Sequence, residues 1–325
     1  MRIVIIGASG HVGGYLVPRL VGAGHEVVAI SRGLHEPYRP HRAWESVERV
    51  VLDREAEDAA GTFGGRIADL NADVVIDMVC FTAASASQLV EAIRGRVSLL
   101  LSCGTIWTHG SAVEVPVLEH EAQNPFGEYG VGKAEIERLL HTESRRPGGL
   151  RSVVLHPGHI TGPGWRMINP LGNLDLTVWQ KLAAGDEVVM PGFGLETVHH
   201  VHADDVAQGF QRALERQNEA VGESFHLVSP RAVTLRGFAQ AAAGWFGQEA
   251  RLRFVPFEEF AAQTTAEHAE ASREHITRSH SMSIEKAQRM LGYAPRSTTL
   301  EAVAEGLQWL IDDGQLDVGG RTLAL

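Results

Sequence analysis

The chain has 325 residues, 44% of them hydrophobic and 21% charged, the balance of a globular protein with room for a sizeable core. Its net charge is −11 and it carries no basic run, which disfavours nucleic acid and anionic membranes as partners. No stretch reaches the roughly 18 apolar residues of a membrane span, and two cysteines, Cys80 and Cys103, are too few for a disulfide framework and fit a reducing cytoplasm.

In chain order, residues 2–6 form a short β-type run, followed by G-A-S-G-H-V-G and an apolar-periodic helix from about Val12 that contains Pro18. The opening run is too short, and meets glycine too soon, for a signal peptide. Residues 27–31, 49–53, 73–79, 98–104 and 152–158 are further Val/Ile/Leu-rich runs. Helix-like segments lie between most of them, notably 85–95 and the stretch after Tyr129. Apolar strands alternating with helices predict an α/β fold, a Rossmann-type doubly wound parallel sheet with its ligand at the strands' carboxyl ends.

Gly7, Gly10 and Gly13 separate the first strand from the first helix, with Ser9, His11 and Val12 in the same turn. Glycines there let the backbone approach a pyrophosphate beneath a helix N-terminus, so the turn predicts a dinucleotide. The second strand ends Ile30-Ser31-Arg32-Gly33 with no acid for the ribose hydroxyls of NAD. Ser31 and Arg32 suit a 2′-phosphate instead and favour NADP. Asp53 and Arg54, ending the third strand, are placed to border the adenine. Val79, His156 and Gly158, at later strand ends, are counted with the same cofactor cleft.

Residues 127–140 read GEYGVGKAEIERLL. Tyr129 and Lys133 stand one helical turn apart and share a face, yet Gly130 and Gly132 weaken that turn by about 1 kcal/mol each relative to alanine. The spacing alone leaves open a frayed end with a surface pair or a catalytic pair held close to other backbone.

The ordered set GASGHVGG (7–14), SCGTIW (102–107), YGVGK (129–133), LHPGHITGPG (155–164), HVHADDVA (200–207) and IEKAQRMLGYAP (284–295) resembles the extended short-chain dehydrogenase/reductase group, the NAD-dependent epimerase/dehydratase family. The resemblance implies Tyr129 as acid/base, with Lys133 favouring its phenolate and holding the nicotinamide ribose. Where the family usually has Ser or Thr, four residues before an aromatic, this chain has Cys103 before Trp107. A thiol is a weak donor, which leaves Cys103, Ser102 and Thr105 as candidates for the third member. The arginine that neutralises pyrophosphate in relatives acting on nucleotide sugars falls on Val198, six residues before Asp204. Arg166, Arg236 or Arg273 would have to replace it.

His156, His159, His199, His200 and His202 cluster in sequence without a cysteine or carboxylate set to complete a metal site, so no metal is expected. Asp204 and Asp205 read as helix-capping acids. His159 is placed to meet substrate, and Trp107, Trp165, Phe193 and Phe81 either line an apolar pocket or pack as core. The expected organisation is an NAD(P)-binding domain over 1–165 and 199–229, interleaved with a substrate lobe over 166–198 and 230–325. The expected function is cytoplasmic NAD(P)-dependent oxidoreduction of a small, sugar-like alcohol or ketone. An NAD-retaining epimerase or dehydratase and a catalytically weak NADP sensor are its rivals. Helices near 85–95 and 129–142 resemble the family's pairing surface and imply a homodimer.

Overall fold

The computed structural model describes residues 1–324. Seven strands form one parallel sheet: β1 (Arg2–Ile6), β2 (Glu26–Ser31), β3 (Glu48–Val51), β4 (Val74–Asp77), β5 (Leu99–Cys103), β6 (Ser152–Pro157) and, after four short lobe strands, β11 (Ser224–Leu227). Their spatial order is β3-β2-β1-β4-β5-β6-β11, so the direction of winding reverses between β1 and β4. That reversal opens a crevice above the strands' carboxyl ends.

Alternation along each strand feeds two cores. Ile3 and Ile5 of β1 face a cluster built with α1 (Gly13–Gly22) and α7 (Ala203–Glu215). Val4 and Ile6 face the opposite cluster, with α3 (Phe63–Ala68), α4 (Ala83–Ile93) and α5 (Gly127–Arg145). The short α2 (Arg54–Ala59) and α8 (Gln217–Ala220) complete this half. Pro18 sits inside α1 without ending it.

The lobe is built from three small strand pairs. β7 (His159–Thr161) lies parallel to β10 (His200–His202), β8 (Glu187–Pro191) parallel to β13 (Arg251–Val255), and β9 (Thr197–Val198) antiparallel to β12 (Val233–Thr234). α6 (Thr177–Ala184), α9 (Leu235–Trp245), α10 (Phe257–Ala261), α11 (Ala266–Arg278) and α13 (Thr299–Asp312) surround a core centred on Trp179, Phe238 and Leu307. Between α11 and α13 the chain returns to the sheet, where Ala287 and Leu291 of α12 (Glu285–Leu291) join the first core.

At α7 the capping expectation is corrected. The acceptor for the Asp204 N–H is the His202 ring, at 3.0 Å. Asp204 instead pairs with Arg19 of α1 at 2.7 Å and with Arg296, while Asp205 accepts the backbone N–H groups of Arg296 and Ser297. These carboxylates tie α7 to its neighbours, and a histidine ring nitrogen takes the role usually filled by a side-chain oxygen.

Candidate functional site

A cleft of about 710 Å³ lies over the switch between β1 and β4. Gly7, Ser9, Gly10, Ser31, Arg32, Asp53, Arg54 and Val79 all line it, as expected from the sequence. Two of the turn's glycines admit no side chain: Gly7 has φ +86°, and a Cβ there would stand 2.7 Å from the Val79 side chain. A Cβ on Gly13 would meet the Ala8 carbonyl oxygen at 1.9 Å. The cradle therefore fits a flat-lying pyrophosphate beneath the N-terminus of α1.

His11 lies below the turn rather than in it. Its Nε2 meets the Pro163 carbonyl at 2.9 Å, its ring stacks on Trp165 at 5.7 Å, and burial pushes its pKa down to about 4. Trp165, read from sequence as pocket or core, lines the cleft together with Tyr38.

At the far end of β2, Arg32 is exposed on the cleft rim and no carboxylate pairs with it among the described residues. Ser31 Oγ accepts the Gly33 N–H at 3.3 Å, which shapes the tip.

Asp53 and Arg54 are less available than the sequence suggests. The Asp53 carboxylate accepts the N–H groups of Glu55 and Ala56, capping α2. The Arg54 guanidinium grips Asp77 at 2.6 and 2.8 Å and reaches Ser85 at 2.9 Å. Burial alone would lower the Arg54 pKa, but Asp77, Cys80 and Asp58 outweigh it and raise it. This charge is committed to holding β4 against α2 and α4. The same part of the cleft is lined by Asp58, Phe63, Thr82, Ser85 and Gln88, none of which stands out in the sequence.

Phe81 closes the other end of the cleft and abuts the Tyr129–Lys133 pair. Helix α5 starts at Gly127, earlier than the glycine-weakened sequence suggests, so both residues lie inside it. The two glycines have a steric reason. A Cβ on Gly132 would lie 2.6 Å from the Phe81 carbonyl oxygen, and one on Gly130 would lie 3.1 Å from that of Trp107. Alanine at 132 would push α5 off the loop that ends the cleft.

Lys133 is buried, donates to the Cys103 carbonyl at 2.7 Å, and places its ammonium 5.0 Å from the Phe81 ring centre and 5.8 Å from that of Tyr129. Tyr129 exposes 42% of its surface, with Trp107 edge-on at 5.6 Å. Desolvation pushes its phenol up to about 12 and the neighbouring Cys103 adds to the rise, while the Thr105 side chain opposes it. The Thr105 hydroxyl itself accepts the Trp107 N–H at 3.3 Å.

For the third member, Thr105 and Cys103 both act on the Tyr129 phenol, and Thr105 is the one of the two that carries a hydroxyl. The Cys103 thiol reaches only the Gly104 carbonyl, at 3.8 Å, and burial raises its pKa, so it stays a weak, neutral donor. Ser102 is buried within β5. Thr105 falls beyond the strand, where the chain turns into a 3₁₀ segment and strand alternation no longer applies. Both thiols are free.

Two other expected cofactor residues lie elsewhere. His156 is buried behind Thr105, bonded to its backbone and to Glu137. Gly158 packs on the His199 carbonyl, where a Cβ would stand at 2.3 Å.

The remaining histidines are mostly engaged and neutral. His199 and His275 are pushed down to about 4, and His200 and His280 to about 3, in each case chiefly by burial. His159 is also lowered by burial and packs tilted against His275 at 4.8 Å, and His275 meets Trp107 edge-on at 5.0 Å. That chain of rings leads to Tyr129. Arg278, which the sequence did not flag, is buried between Trp107 and Phe126, its Cζ 3.7 and 3.9 Å from their ring centres. It also donates to the Phe126 carbonyl at 2.8 Å and so anchors the start of α5. No group of three or more potential metal ligands converges among the described residues. No helix among them is long and apolar enough to cross a membrane.

Comparison with known proteins agrees with this geometry. Residues 3–227 match the NAD dependent epimerase/dehydratase family. A 2′-dehydrokanamycin reductase from Streptomyces kanamyceticus is 30% identical over 229 residues, which cover 70% of this chain but only 62% of that protein. The chloroplast stem-loop binding protein of 41 kDa b from Arabidopsis thaliana is 24% identical over 99% of this chain and 80% of its own length. Among solved structures, a UDP-glucuronic acid 4-epimerase from Bacillus cereus, in complex with UDP-glucuronic acid and NAD, superposes with a TM-score of 0.73 at 17% identity. That superposition covers 96% of this chain and 99% of the other.

Proposed function

The chain belongs to the NAD-dependent epimerase/dehydratase family of extended short-chain dehydrogenases/reductases, and from that premise we propose that it interconverts a secondary alcohol and a ketone on a small, sugar-like substrate, using NADP(H). The carrying observation is the Tyr129–Lys133 pair packed against Phe81, which lines one end of a cleft built over the glycine turn. A nicotinamide bound there supplies or accepts the hydride.

The protein's own residues handle the proton. Tyr129 gives it to the carbonyl oxygen during reduction and takes it during oxidation. With the phenol pushed up to about 12, the resting protein keeps it protonated, the form needed for reduction. The Lys133 ammonium stabilises the phenolate left after donation and would hold the ribose hydroxyls of a bound cofactor. Thr105 steadies the phenol and the carbonyl oxygen, and Cys103 packs beside them.

Arg32 and Ser31 support NADP over NAD, because an unpaired guanidinium on the cleft rim suits a 2′-phosphate. The name of the dehydrokanamycin reductase supports an amino- or deoxysugar ring as substrate. Val198, in place of a cation, supports a substrate without pyrophosphate. We assign 1–165 and 199–229 to cofactor binding and 166–198 and 230–325 to the substrate lobe, with α12 reaching back to the sheet. Two free thiols support a cytoplasmic setting, and the outer faces of α4 and α5 are the proposed homodimer surface.

Mass spectrometry of nucleotide released on denaturation tests the reductase reading. Protein that arrives empty and then binds NADPH supports it; stoichiometric, tightly held NAD supports the epimerase or dehydratase rival.

A further inference from the structure

His156 has the position of a brace rather than of a ligand-binding group. It is buried on β6, and its Nδ1 lies 2.9 Å from the Thr105 amide nitrogen and 2.8 Å from the Thr105 carbonyl oxygen. Its Nε2 lies 3.1 Å from Glu137 Oε1. Glu137 is also fixed, by Gln123 at 2.6 Å, by Ser224, and by His141 at 3.4 Å. Burial works against its charge, but His156, His141 and Ser224 outweigh it and hold the carboxyl well below the usual range.

The ring reaches Thr105 only because residue 104 is glycine. A Cβ there would stand 2.5 Å from His156 Nδ1. Glu137 sits one turn beyond Lys133 on α5, so one helical stripe carries Tyr129, Lys133 and Glu137. The stripe and the strand-end loop are thus joined through Glu137 and His156 to the Thr105 backbone, and the Thr105 side chain acts on the Tyr129 phenol from the same loop.

We propose that His156, steadied by Glu137, is the positioning residue that aims the Thr105 hydroxyl at Tyr129. The inference rests on reading Tyr129 as the acid/base. With an ionised Glu137 accepting from Nε2–H, Nδ1 meets the Thr105 N–H and the Thr105 carbonyl oxygen together and so holds the backbone on both sides of that residue. Thr105 sits at φ −162° and ψ 148°, extended, so fixing its peptide directs its side chain. Neither His156 nor Glu137 lines the cleft.

Tyrosine labelled with ¹³C at Cζ tests this without a substrate, since the chain has four tyrosines and Tyr129→Phe identifies the resonance. Thr105→Val should shift the Tyr129 signal by the amount that marks a lost hydrogen bond. His156→Gln, whose amide takes the place of Nε2 and abandons Thr105, should shift it equally. His156→Asn, whose amide takes the place of Nδ1, should leave it at the wild-type position. An unmoved signal in Thr105→Val or in His156→Gln overturns the proposal, as does His156→Asn shifted as far as His156→Gln.

If His156→Gln does not fold, ¹⁵N-imidazole spectra of the wild-type protein decide. A proton on His156 Nε2 is expected, and a bare Nε2 contradicts the arrangement. Failure of the acid/base reading is a separate result: Tyr129→Phe would then retain turnover while these resonances behave as described.

Discussion

At the glycine turn the protein offers a ligand its backbone, with Gly7 and Gly13 closed in by Val79 and the Ala8 carbonyl and α1 beginning directly beneath. Around Tyr129 it offers side chains: a buried lysine, a threonine held from behind by histidine and glutamate, and a wall of aromatic rings and neutral imidazoles. The difference lies in what each region depends on. A backbone cradle needs only that nothing larger than glycine intrude. A side-chain site needs each group supported by another, so its properties change with residues that never meet a ligand.

The largest effect expected from breaking this contrast is at Tyr129. Tyr129→Phe should lower turnover about 10²- to 10⁴-fold, the usual worth of a positioned proton donor, while NADPH affinity measured by fluorescence titration stays at the wild-type value. Loss of NADPH binding in that variant would mean that the two regions are not separable. Gly13→Ala is the converse experiment. A Cβ at 1.9 Å from a carbonyl oxygen must displace backbone, at a cost of about 1–3 kcal/mol. NADPH binding should weaken at least about tenfold by calorimetry, with turnover falling in parallel.

Acid should distinguish the regions next. His109, His199 and His275 are depressed to about 4 and His200 and His280 to about 3, so they are neutral in the fold and take up protons in the unfolded chain first. Their contribution is fully present above the ordinary histidine pKa of about 6.5 and is lost as pH falls toward 4 and below. Glu137, held low, acts in the same direction. Tm followed by calorimetry should fall steadily between pH 6.5 and 4. A flat profile would show that these rings are not buried neutral. The smallest effect is expected at the rim: Arg32→Ala should weaken NADPH about tenfold and NADH hardly at all, and equal losses would remove the cofactor preference.

The same contrast explains how much of the molecule could be read from its sequence. The parallel strands of the central sheet and the glycine turn follow from apolar runs and local spacing, and the Tyr129–Lys133 pair from a four-residue interval. Backbone-built features are legible because they leave compositional marks. Side-chain roles were less so. Cys103 closes its strand where the family usually has a hydroxyl, and Thr105 follows where the chain leaves strand geometry at Gly104, so spacing alone does not choose between them. Asp53 and Arg54 line the cleft as read, but their polar groups are spent on a helix cap and an ion pair. His156 ends a strand facing the cleft by sequence position and instead turns behind Thr105, through a gap that exists because residue 104 has no side chain. Arg278, about 150 residues from Phe126, left no local signal at all.

The most direct test of the central claim follows a labelled hydride. The protein would be incubated with NADPH carrying deuterium at nicotinamide C4 and a panel of keto-derivatives of amino- and deoxysugars. The account predicts deuterium on the carbon that gains the hydroxyl group, with NADP⁺ accumulating one for one. Product without deuterium, epimerised against a cofactor that is not consumed, or NADPH that binds and transfers nothing to any member of the panel, would contradict it.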